Sequence, residues 1–294
     1  AATEATLAPQ TLQEAFAREV VAAVRAVHAR AGAAAAATAA EASPDAEPAR
    51  WEQLEPATVA ALASAAGAGW ALQDGFLGEE WAPLLLHDAT RLTAAIASPA
   101  GGAARRMQPV PTLGNGAPAC AGCSSSSSGE KDRIRSGTFG EIAWLEPAEL
   151  ADAFPALHEL VTALHGLPFE LNRAAAASRL RRPLPGATML LRLGPGCRAP
   201  PRLDSRVGDQ DTGHRVTCVY FIGSDTGGDD ICGDGGGGLL RFNGGCGMIA
   251  DAVIEPKADR IMLFRSEEFW NERAVVQGPA QFAVVFWMHG EPIA

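Results

Sequence analysis

The stretch that decides the fold runs from Thr188 to His289. It opens with TMLLRLGPGCRAPPRLDS (188–205), continues through HRVTCVYFIG (214–223) and GGGGLLRFN (235–243), and closes with ADAVIEPKADRIMLFRSEEFWNERAVVQGPAQFAVVFWMHG (250–290). Short apolar runs rich in β-branched and aromatic residues alternate with Gly, Pro and Asp, the pattern of strands separated by turns. Strands are expected at Thr188–Leu193, Val216–Ile222, Leu239–Phe242, Ala252–Glu255, Arg260–Phe264 and Phe282–Met288. The near-continuous hydrophobicity of the last marks a central strand covered on both faces.

Upstream the period changes from two to about 3.6. Thr11–Arg30 carries Leu12, Phe16, Val20, Val24 and Val27 at helical spacing, and an Ala/Pro-rich linker extends to residue 50. A short helix follows Pro56, a strand lies in GWALQDGFL (69–77), and EEWAPLLLHDATRLTAAI (79–96) predicts a helix burying Trp81, Leu84, Leu85, Leu92 and Ile96. Ala100–Asp132 reads as a long Gly/Pro/Ser-rich loop, Glu141–Pro147 as a strand, and Ala148–Ala153 and Leu157–Gly166 as helices. Helices first and antiparallel strands after predict an α+β domain in which helices buttress one sheet of a sandwich. The expected organisation is an amphipathic helix and linker over 1–50, then one domain over 51–294, with helical support to residue 180 and a β core over 181–294.

Composition narrows the function. Over 294 residues the net charge is -10, with a pI near 5.1, which argues against nucleic acid and anionic membrane surfaces as partners. No run reaches the roughly 20 apolar residues of a membrane-spanning helix. The Ala-rich start leaves an organellar origin after loss of a targeting segment open beside a cytoplasmic one. Cys120 and Cys123 form a lone C-x-x-C; without a second pair at suitable spacing they read as ordinary loop thiols rather than half a zinc site or a redox pair. The Gly-rich run 222–242 lacks the Gly-Lys-Ser/Thr of a phosphate loop. It reads as a hairpin loop, with Asp225, Asp229, Asp230 and Asp234 as a solvated acidic cluster in preference to a calcium site.

The ordered set GWALQDGFL, IRSGTFGEIAWLEP, RLGPG, RVTCVYFIG, GGLLRFN, ADAVIEPKADRIMLFRS and QFAVVFWMHG resembles the prolyl 4-hydroxylase type of iron- and 2-oxoglutarate-dependent dioxygenases, in particular the oxygen-sensing prolyl hydroxylases. The resemblance spans Gly69 to His289 and implies a double-stranded β-helix, a jelly-roll or cupin-like core. It also implies a facial triad of two His and one carboxylate, which leaves positions on iron for 2-oxoglutarate and oxygen. Here the His-x-Asp place reads Arg202-Leu203-Asp204. Counting back from the last strand puts Glu272 at the second His, with Arg273 the next candidate, and the residue matching the cation that would pair with 2-oxoglutarate is Gln281.

With three of four cofactor-holding positions changed in chemical type, neither iron nor another metal is expected, and no catalytic residue is assigned. The sequence predicts a catalytically inactive oxygenase-fold protein that serves as a binding or structural module for protein partners, as in a larger complex. In a sharper form, Arg202 replaces the cation and pairs with both Asp204 and Glu272. The alternative is an active oxygenase of prolyl hydroxylase type, with iron, 2-oxoglutarate and displaced ligands. His214 and His289, read as surface or loop histidines, and Arg265, one strand earlier than Gln281, are the replacements that it offers.

Overall fold

A computed structural model describes residues 53–63, 68–97, 108–109, 140–174, 179–205, 211–224, 239–244 and 252–291. The expected helix Thr11–Arg30 with its linker, Cys120 and Cys123, and the cluster Asp225–Asp234 lie outside the described residues.

Among the described residues the helices are α1 (Pro56–Ala63), α2 (Trp81–Ala97), α3 (Pro147–Leu150) and α4 (Pro155–Ala174). The strands are β1 (Trp70–Asp74), β2 (Gln108–Pro109), β3 (Glu141–Trp144), β4 (Thr188–Leu193), β5 (Ala199–Leu203) and β6 (His214–Ser224), followed by β7 (Leu240–Gly244), β8 (Ala252–Ile254), β9 (Arg260–Arg265), β10 (Phe269–Arg273) and β11 (Gln281–His289). They form two antiparallel sheets, a larger one ordered β1-β9-β6-β11-β4-β3-β2 and a smaller one ordered β5-β10-β7-β8. The expected α+β class is the observed one, and β11 takes the middle of the larger sheet. The segment read as a long loop contributes β2, a two-residue edge strand.

Alternation along the strands builds two cores at once. Leu190, Tyr220, Leu263, Val284 and Phe286 point from the larger sheet to the helices, where they meet Leu85, Leu92, Leu157, Leu160 and Leu164. Their neighbours Leu191, Val219, Phe221, Phe264, Ala283 and Val285 point the other way and pack on Phe242, Ile254 and Phe269 of the smaller sheet. The continuous apolar character of β6 and β11 follows from this burial on both faces.

The helical layer is fixed by polar contacts as well as by packing. α4 is longer than its apolar period suggested, and Pro168 lies within it, buried. Its first free amides, Ala156 and Leu157, donate to Asp88 Oδ2 on α2 at 2.8 and 3.4 Å, so one helix caps another. Burial raises the Asp88 carboxyl above its ordinary range despite these two donors. Of the helical face expected for 79–96, Trp81, Leu85 and Leu92 are buried, and Leu84 and Ile96 pack against the same core from its margin.

Candidate functional site

Two strands of the smaller sheet carry the expected site residues, and neither announced itself as a strand. β5 includes Pro200 and Pro201, and β10 has polar residues on both of its faces. They pair antiparallel, with Asn271 opposite Arg202 and Arg273 opposite Ala199, and the register shifts between Asn271 and Arg273. Along β10, Phe269, Asn271 and Arg273 are buried while Trp270 and Glu272 are partly exposed.

This alternation moves Glu272 out of the site expected for it. Its carboxylate lies 3.4 Å from Arg241 Nη1 on the outer side of the sheet, and it takes no part in the pair at Asp204. The predicted contact between Arg202 and Glu272 is therefore absent, because a shift of one residue along a strand exchanges its faces. Arg273 is the residue that turns inward.

The predicted pair between Arg202 and Asp204 does form, with Nε 3.0 Å from Oδ1 and side chains only 16% and 4% exposed. Asp204 Oδ2 accepts from the Thr217 hydroxyl at 3.0 Å and from Asn271 Nδ2 at 3.2 Å. Thr217 also meets the Ser266 hydroxyl at 2.9 Å, and Asn271 bonds the Arg202 carbonyl at 3.3 Å. Both oxygens of the carboxylate are thus held by donors. The Arg202 guanidinium also lies over the Trp287 ring, 5.8 Å from its centroid.

Arg273 is 5% exposed, and its guanidinium stands 4.4 Å above the Phe221 ring. Its Nη2 is buried without a hydrogen-bond partner among the described residues. Burial first, and the nearby Arg202 charge second, bring its pKa down to about 9, so it stays cationic at neutral pH. Gln281, at the start of β11 opposite Leu193 and Ser224, is buried with the inward parity of Ala283 and Val285.

The histidines read as surface or loop residues are strand residues, paired in register as His214 and His289. Their rings meet edge to face at 4.6 Å, and His214 stacks on Trp287 at 5.4 Å. His214 Nδ1 lies 3.0 Å from the Asp204 carbonyl. Burial lowers both imidazole pKa values, for His289 with help from His214, and this favours neutral rings at pH 7. The pairing was hidden in the sequence because the partners are 75 residues apart and stand at opposite ends of their strands.

Arg265 is turned to another task. It bonds the Leu62 carbonyl at 2.9 and 3.2 Å and Glu268 at 2.9 Å, tying α1 to the sheet edge. Its β6 register partner is Val216, at the opposite end of the larger sheet from Gln281.

The arrangement does not fit iron. Asp204 is engaged with a guanidinium, a second guanidinium lies within the same interior, and fixed positive charges repel a divalent cation. No group of three or more His, Cys, Asp or Glu side chains able to hold a metal ion occurs among the described residues. A separate groove of about 260 Å³ on the helical side, lined by Leu77, Trp81, Phe169 and Arg173 among others, includes none of the expected site residues.

The two sheets, with helices on one of them, define the fold of the prolyl 4-hydroxylases. One such structure, a prolyl 4-hydroxylase from Pseudomonas putida, is 19% identical with a TM-score of 0.55, over 80% of this chain and 98% of that one. A prolyl hydroxylase from Trichoplax adhaerens, solved with a peptide fragment of the hypoxia inducible factor oxygen degradation domain, is 19% identical with a TM-score of 0.56, over 79% and 87% of the two chains. A prolyl 4-hydroxylase from Phytophthora capsici is 16% identical with a TM-score of 0.54, over 84% and 69%. No family model matches the sequence, and no curated protein does. Identities this low establish a shared fold.

Proposed function

We propose that this chain is a double-stranded β-helix in which a guanidinium cluster has replaced the oxygenase metal centre, and that it works as a binding or structural module without oxygenase chemistry. In this reading β4 to β11 are the eight strands of the helix. Arg202, Asp204 and Arg273 stand at the former triad positions, and Gln281 stands at the former 2-oxoglutarate position. The observation that carries the proposal is the 3.0 Å contact between Arg202 and the one carboxylate left from the triad, beside a second inward arginine. The fold likeness supplies the scaffold.

A module of this kind acts through its surface, so a protein partner, as in a multi-subunit assembly, is the corresponding proposal for what it binds. The test is anaerobic reconstitution of the full chain with iron(II), followed by metal analysis and an assay of 2-oxoglutarate decarboxylation. The expected result is less than about 0.1 equivalent of iron and turnover at background, since neither arginine can act as a ligand. One equivalent of iron with turnover would establish the rival reading, an active oxygenase with displaced ligands.

A further inference from the structure

Arg273 poses a question of charge. Its side chain is buried, its Nη2 has no acceptor, and the aromatic face of Phe221 is the contact recorded for its guanidinium among the described residues. A buried cation without a counter-charge carries a desolvation penalty that folded proteins ordinarily offset by pairing. Asp204, the carboxylate paired with the neighbouring Arg202, is committed, with Arg202 on Oδ1 and Thr217 and Asn271 on Oδ2. Arg202 and Asp204 are neutral as a pair, which leaves the charge of Arg273 over.

We infer that the barrel interior beside Arg273 and Arg202 binds a small oxyanion of the carboxylate or phosphate class, so that this interior takes the charge opposite to that of a divalent metal. The inference rests on the proposed loss of the metal centre. Phe221 covers one face of the guanidinium, and the N–H donors of that group radiate from its edge in the plane of the fork. A planar fork of this kind matches a carboxylate or phosphate edge with two parallel hydrogen bonds. The lowered pKa of Arg273 agrees with a charge that lacks its counter-ion, and an anion bound there would raise it again.

The experiment uses the full chain at pH 7, free of multivalent anions, with ionic strength held constant by sodium chloride. The melting temperature is followed while sodium acetate replaces chloride in one arm and sodium phosphate does so in the other. The expected result is a saturable rise in at least one arm, about 5–10 °C at one hundred times the dissociation constant. The arm that responds identifies the anion class. Arg273→Met should melt at or above the wild type in chloride and show no saturable rise, because it removes the unpaired charge and the site together. A flat response in both arms overturns the proposal, and so does an equal rise in the Met variant. Should that variant fail to fold, Arg273→Lys keeps the charge without the fork and is expected to bind at least about 10-fold more weakly by calorimetry; unchanged affinity overturns the proposal. A flat titration without iron uptake removes the anion site alone, whereas iron uptake with turnover removes the reading on which it rests.

Discussion

At the scale of single residues, the decisive fact is which of two neighbours faces inward. Counting put Glu272 ahead of Arg273, yet the pleat of β10 sends the carboxylate out to Arg241 and the guanidinium in over Phe221. The distinction can be tested by restoring imidazoles. Arg202→His with Arg273→His would set two rings beside Asp204 and free it from its guanidinium; cobalt(II) affinity is expected to rise at least about 100-fold over the wild type, read from the visible absorption of the bound ion. Arg202→His with Glu272→His should stay near the wild-type affinity, because the second ring would lie outside the barrel. Equal gain in both double variants would show that the β10 register is wrong.

At the scale of elements, legibility followed hydrophobic pattern. β6 and β11 could be read because burial on both faces made them continuous apolar runs, and α2 could be read from its stripe of Trp81, Leu85 and Leu92. β5 and β10 could not. Two prolines interrupt the first, and the inward face of the second reads Phe-Asn-Arg, so its buried side does not look buried. The pair of Arg202 with Asp204 was therefore legible in the sequence, and the register of β10 beside it was not. The sheet edge offers a further test. On β1, Asp74 accepts from Arg260 at 2.6 and 3.1 Å and from Lys257 at 3.1 Å, and mainly the Arg260 hydrogen bond draws its pKa down to about 2. A carboxyl held below its unfolded value adds stability above about pH 4, and that increment disappears as the pH falls toward 2. Because Asp74 is well exposed, screening limits the increment to about 0.5–1 kcal/mol. Unfolding free energies of the wild type and Asp74→Asn from urea titrations should differ by that amount from pH 5 to 7 and converge near pH 2; a gap that persists at pH 2 would mean that the ion pair is not its source.

At the scale of the whole molecule, Asp259 joins the two layers. It sits at φ 57°, a left-handed backbone position, just before β9. Its Oδ1 accepts from Leu77 N at 2.8 Å and from the buried Tyr220 hydroxyl at 2.9 Å, and Oδ2 accepts from Gly78 N at 2.8 Å. The turn leading to α2, the larger sheet and the helix-facing core thus share one carboxylate. Asp259→Ala leaves buried donors without partners and is expected to lower stability by about 3 kcal/mol. Asp259→Asn keeps a carbonyl and tolerates the left-handed backbone, so a loss of about 1–2 kcal/mol is expected. Denaturation followed by tryptophan fluorescence and by far-ultraviolet circular dichroism should shift together in both variants, since helices and sheets are tied at this point. Separate transitions would show that the layers unfold independently.

The Asp259 knot also bears on how the chain is born. Leu77 and Asp259 are 182 residues apart, so the turn before α2 waits for its acceptor until that length of chain has been made. At about 5–20 residues per second that wait lasts roughly 10–40 s. Throughout it, β1 lacks its β9 partner and the amides of Leu77 and Gly78 lack the carboxylate that accepts from them. Nascent chains paused before residue 259 should therefore be the ones that chaperones hold, and release should follow the emergence of β9 rather than the completion of the helices.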